Sequence, residues 1–527
     1  MFRLRVKFLS LTILVLLSVL SVAPAASQGD NILHIVALSE VRTVDPHKAY
    51  ETDTWPATSL FYIGLVKQDL SGNPAPGLAE TWSVSDDGTV LTFTLREGIK
   101  FSNGRDITTE DVKYSFERLL NPETAAPTAF MFTPIAGSEA FQNGEADEVS
   151  GIHIIDDRTI EFTLSYPEWT MMKRFALPPG FIIAREGVEA AENFGREPLG
   201  AGPFVLDSWE SGVRMAGSRN PNYYEEDKPF VDGFEISFGV EPSVGVLRME
   251  AGEADVSLDF IASADYPRLV DDPVLSPRIL TLAAFPEVDY VILNTNREPF
   301  TDVRVRQALN MAVDRERLMQ LFSGRAVIAN GFIPTGVGGD NTELAPPTYD
   351  ADGARALLAE AGQPDGFSAQ MVSSTDPDAL AASQAVIADW ANIGVQVELT
   401  SLENAQFLDV IINQGQEWDM INTQWYMDYV DPSDNYEPLI KCGVGDNWSY
   451  NWVHHCSEES DALFQAANLV PPGDDRWAAF AALEAQVQEV MPNIWLQHRR
   501  IFYFTSERVH IESNPAILLV FSDATVQ

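Results

Sequence analysis

The feature that most limits what this 527-residue chain can become lies at its start. Arg3, Arg5 and Lys7 form a basic segment, and Phe8 to Val22 is an apolar run interrupted only by Ser and Thr. Ala23-Pro24-Ala25 then fits the small-x-small rule for leader cleavage, with Ala26-Ser27-Gln28 a second fit. Residues 1–26 are therefore expected to be a removed export signal, and the remainder must fold outside the cytoplasm. No later segment is apolar for long enough to span a bilayer. The first 25 residues contain no Cys to carry a lipid, so a soluble exported protein is expected.

That address changes how the two cysteines read. Cys442 and Cys456 are the only pair in the chain and are expected to form a disulfide. Closing a loop of that size is worth about 3 kcal/mol in the chain-entropy account. His454-His455-Cys456 also has the composition of a metal site, but adjacent side chains diverge in a strand or a helix and rarely share one ion. The formal charge of -43, from 34 basic and 77 acidic residues, disfavours nucleic acid and anionic membranes as partners. A solvated acidic surface accounts for it, and so does attraction of a cationic ligand; charge alone does not choose between them. The length exceeds one comfortable core, so two or three domains are expected.

Periodicity supplies the elements. Ile32 to Leu38 reads as a short buried strand, followed by a turn over 43–47. Residues 80–85 and 89–96 read as a hairpin about Asp86-Asp87-Gly88, with Leu91, Phe93 and Leu95 alternating with Thr. Thr108 with Asp111 opens a helix whose apolar face is Val112, Phe116, Leu119 and Leu120, closed by Asn121-Pro122. Thr159 to Leu164 alternates again. Helices are expected from Thr301 or Asp302, over 351–361 with Gly362 closing it, and over 378–392 ahead of a strand at 395–399. There is no internal repeat, no low-complexity tract and no Gly/Ser tether.

Pro76-Gly77-Leu78-Ala79-Glu80-Thr81-Trp82, Ser85 to Gly88, Leu95 to Phe101 and Asp111-Val112 follow one another as in a known family. So do Leu199 to Phe204, Asn220 to Tyr224 and Pro299 to Leu309. In these motifs the chain resembles the family 5 extracellular solute-binding proteins, which serve ABC importers of oligopeptides, dipeptides and nickel. The resemblance covers essentially the whole chain after the leader. It implies an α/β, two-lobed periplasmic-binding-protein fold of the large type II cluster, with an extra inserted domain and a hinge of two crossing strands. The implied first domain combines 27–51, 170–277 and 492–527. The inserted domain would span 52–169, and the opposing lobe 278–491. The crossings are expected at 278–294 and 492–504.

The candidate site is Trp425-Tyr426-Met427-Asp428-Tyr429, just after an apolar strand. In peptide-binding members an acidic residue three positions after a Trp pairs with the peptide's α-ammonium. By that resemblance Asp428 would do so here, through a charge-assisted hydrogen bond; capping a turn or the next helix is the structural alternative. Trp425, Tyr426 and Tyr429 can stack on a ligand or pack the lobe. Dipeptide-binding members take the ligand carboxylate with an Arg, and the corresponding position here, counted back from Trp390, is Ser373. Neither Arg nor Lys lies between Met371 and Asp376, which argues against a free dipeptide. Tyr50, Ser373 and Thr375 complete the candidate ligand-binding set.

No G-x-S-x-G, H-E-x-x-H, C-x-x-C, Walker loop or complete G-x-G-x-x-G is present, so no enzyme, cofactor or metal is expected. Four of the 11 Trp, at 418, 425, 448 and 452, leave a sugar-binding site open. The reading is a monomeric receptor subunit delivering a peptide or other amine-bearing solute to permease and ATPase subunits in other chains. The alternatives are an oligosaccharide or opine-like ligand on the same fold, or an envelope sensor without transport.

Overall fold

The computed structural model describes residues 31–50, 54–281, 287–403, 406–410, 417–442, 451, 455–514 and 519–527. The expected leader, and Trp448, Tyr450, Trp452 and His454, lie outside the described residues.

Three sheets carry the molecule. The first has the order 256–257, 32–36, 233–237, 214–219, 204–210; its first three strands run parallel and the rest antiparallel. The second is an antiparallel sheet in the order 79–84, 90–95, 159–163, 152–154. Its hairpin turns at Gly88, whose φ of +71° suits a residue without Cβ. Leu91, Phe93 and Leu95 are buried from one face and pack with Phe116, Phe132, Phe162 and Phe175 in edge-to-face or tilted pairs. Helix Thr109–Leu120 covers that face, and its start is held as expected, the Thr108 amide donating to Asp111 Oδ2 at 3.0 Å.

The third sheet has six strands in the order 326–328, 493–499, 287–293, 420–426, 368–374, 396–402. All seven residues of its central strand, Glu287–Leu293, are buried. Val288, Tyr290 and Ile292 face one core, and Val291 and Leu293 face another beneath helices Val303–Met311 and Pro377–Ala391. Asp302 caps the first of these helices and Asp376 the second, which begins at Pro377, one position before the expected start.

Two chain crossings link this sheet to the rest. Strand Ile279–Thr281 pairs antiparallel with Phe502–Phe504, and the adjoining strands 287–293 and 493–499 pair inside the sheet. Paired crossings leave the lobes free to rotate about one line while limiting other motions. This is the two-lobed, strand-hinged fold.

Candidate functional site

Strand Met420–Tyr426 ends at the face the six-stranded sheet turns toward the other lobe, and the chain bends sharply into helix Ser433–Leu439. Three carboxylates within seven residues shape that bend. Asp431 Oδ1 accepts the Ser433 amide and hydroxyl at 3.1 and 2.7 Å, and pairs with the fully buried Arg476 at 2.9 Å. Asp434 Oδ2 accepts the Asp428 amide at 2.8 Å and the Trp425 indole N–H at 3.3 Å. Asp428 is left to face the other lobe. Its Oδ2 accepts the hydroxyl of Tyr50 at 3.0 Å, across 378 positions of sequence.

Asp428 is 8% exposed and Asp434 3%. Burial pushes the Asp428 carboxyl up to about 7, against the downward pull of the Tyr50 hydrogen bond and the Arg174 charge. Asp434 is also held well above the usual carboxylate range, by burial first and by the neighbouring Asp428 second.

The aromatic residues divide by lobe. Trp425 and Met427 lie in the core of their own lobe. Tyr426 packs on the first lobe's core, with Ile501 and Tyr503. Tyr429 crosses over and joins the core built around Phe93 and Phe175. There the Arg174 guanidinium lies 5.1 Å from its ring centre and donates to its hydroxyl at 2.9 Å. Arg174 also pairs with Glu437 at 3.4 Å and Glu168 at 3.6 Å. The same seam carries Lys173 donating to the Val430 carbonyl, Asn468 to Glu168 at 3.1 Å and Trp169 to the Leu469 carbonyl at 3.2 Å.

Ser373 and Thr375 lie apart from this group. Ser373, at the end of strand Ser368–Ser374, is fully buried and its hydroxyl has no hydrogen-bond partner among the described residues. Thr375 is exposed and donates its amide to Leu402. Neither is bonded to Asp428. Nearby, at the hinge, a cluster absent from the sequence reading gathers about Arg499, which pairs with Glu287, with Asp289 at 3.2 Å and with Asp378 at 3.3 Å. Arg325 holds Asp378 through both oxygens at 2.9 and 3.2 Å, and Ser263 donates to it as well. Strand register sets Glu287 opposite Arg499, and the start of helix Pro377–Ala391 brings in Asp378, so spacing along the chain gives no signal.

Cys442 and Cys456 are disulfide-bonded. The bond ties the end of helix 433–439 to the start of helix 458–468 and removes Cys456 as a thiolate ligand. Among the described residues no group of three or more His, Cys, Asp or Glu is placed to hold a metal ion. No helix among them is long and apolar enough to cross a membrane.

Comparison with known proteins agrees with this geometry. The family model for bacterial extracellular solute-binding proteins, family 5, matches residues 73–447. The dipeptide-binding protein of Escherichia coli is 27% identical over 511 residues, 92% of each chain. Among solved structures, the murein tripeptide binding protein of Escherichia coli superposes with a TM-score of 0.81 at 24% identity, covering 94% of this chain and 98% of that one. OppA of Haemophilus influenzae, solved in complex with RPPGFSPFR, gives 0.80 at 21% identity, covering 94% and 99%. The chain belongs to the family 5 bacterial extracellular solute-binding proteins.

Proposed function

We propose that this protein is the exported, monomeric receptor of an ABC importer, closing on a peptide or similar amine-bearing solute and delivering it to a permease driven by a separate ATPase. The parts are residues 27–51, 170–277 and 492–527 as one domain, 52–169 inserted into it, and 278–491 as the opposing lobe. The observation that carries the reading is Asp428, a carboxylate buried where the lobes meet and offered, among the described residues, only a neutral donor, Tyr50. An ammonium between the lobes would supply the missing charge, and contacts to both lobes are what shift a hinged receptor toward closure.

The other end of the ligand is constrained by charge. Ser373 offers no cation, and Arg325 and Arg499 are already held by Asp378, Glu287 and Asp289. A free carboxylate at that end would meet more carboxylates than guanidinium groups. The reading is therefore a longer or C-terminally blocked peptide, whose backbone supplies the remaining hydrogen bonds. Native mass spectrometry of freshly purified protein tests it: a retained ligand should carry a free amine. A retained ligand without one would overturn the assignment.

A further inference from the structure

Asp428 and Asp434 form a pair whose immediate donors are all neutral. The Tyr50 hydroxyl, the Asp428 amide and the Trp425 indole N–H account for the Oδ2 atoms of both. The two Oδ1 atoms accept no hydrogen bond from the described residues. Among those residues neither carboxylate stands within ion-pair distance of a Lys, Arg or His, although each is more than nine-tenths buried.

The cations around the pair are engaged elsewhere. Arg174 is shared by Glu168, Glu437 and Tyr429, Arg476 by Asp431, and Lys441 by Glu437. Lys173 donates to the Val430 carbonyl. The other titratable groups facing the pair, Tyr426 and Tyr429, are phenols that burial keeps neutral. Arg174 attracts both carboxylates and Lys173 attracts Asp434, but neither reaches ion-pair distance, so burial outweighs them and favours keeping a proton on the pair.

We propose that Asp428 and Asp434 work as one dicarboxylate site that takes a primary ammonium in exchange for a proton. The ammonium enters carrying its charge, the shared proton leaves to solvent, and no covalent bond changes. Asp434 is a second binding carboxylate in addition to shaping the bend. This rests on the amine-binding reading above and adds a measurable coupling to it: affinity weakens as pH falls, because the proton must be removed before the ammonium is held.

The probe is tri-alanine amide, which has a free amine and no carboxylate. Calorimetric titration at about pH 6 in two buffers of different ionisation enthalpy should show release of roughly one proton per peptide. Affinity should fall by about tenfold for each pH unit below the range where the pair ionises. Asp434→Asn keeps an acceptor for both N–H groups, so a purely structural role predicts release over an unchanged pH range, whereas the shared-proton site predicts a range moved to lower pH, because Asp428 no longer titrates beside a second carboxylate. In ligand-free wild-type protein, the infrared band of a protonated carboxyl should disappear when peptide is added; this needs no variant to fold. Binding without proton release, no loss of the carboxyl band, or an unmoved pH range of release in Asp434→Asn would each overturn the coupling and leave the amine reading intact. No binding of the probe would remove both.

Discussion

The two acidic clusters of the second lobe make an instructive pair. At the hinge, Glu287, Asp289 and Asp378 surround Arg499 and Arg325, so most of their charge is compensated within the protein. At the lobe contact, Asp428 and Asp434 are deeply buried but have, among the described residues, only hydroxyl and N–H donors. Residue types and burial are alike, and what differs is the counter-ion. A carboxylate cluster with its own guanidinium groups is a structural fixture. One without them is suited to a cation that comes and goes, which is the property a receptor needs.

Removing the built-in cation should break the first cluster most severely. Arg499→Ala leaves Glu287 and Asp289 buried without their main partner and should cost about 3–5 kcal/mol, read from urea unfolding. At the second cluster the effect on stability should reverse. Asp428 is raised from 3.8 to about 7, so between those values the folded protein holds a proton that the unfolded chain does not, and stability from this group falls as pH rises. Asp428→Asn should weaken an amine-bearing ligand by roughly 2–5 kcal/mol. It should also stabilise the ligand-free protein by on the order of 2 kcal/mol near pH 8, with the gain fading toward pH 4. A variant less stable than wild type at pH 8 would make Asp428 a structural residue like those at the hinge.

Smaller effects sharpen the same contrast. Tyr50→Phe removes one hydrogen bond between the lobes and should weaken ligand binding by about 0.5–1.5 kcal/mol, with little change in unfolding. Salt should act on the whole surface. With a formal charge of -43, raising ionic strength should lift the unfolding temperature by a few degrees, about 1 kcal/mol, through screened self-repulsion. It should change the buried Arg499 cluster little.

Much of this was legible in the sequence where interactions are local. The alternation of Leu91, Phe93 and Leu95, the Thr108–Asp111 start and the Asp302 cap are short-range patterns, and they appear where spacing puts them. Asp428 was reachable only through resemblance, since nothing about an isolated Asp announces burial. The aromatic residues beside it were ambiguous for a physical reason: Trp425 packs its own lobe while Tyr429, four positions on, packs the other. Asp434, Arg174 and the Arg499 cluster were not legible. Arg174 and the Arg499 cluster depend on strand register or on contacts between lobes, such as Arg174 with Tyr429 across 255 positions, and Asp434 on a bend that brings it back to Trp425 and the Asp428 amide.

The central claim is that a buried carboxylate at the lobe contact awaits an ammonium. Its most direct test compares calorimetric binding of tri-alanine amide with that of its N-acetylated form, identical except for the charge at the amine. The free amine should bind, and acetylation should weaken it by at least about a hundredfold. Equal affinity for the two would contradict it.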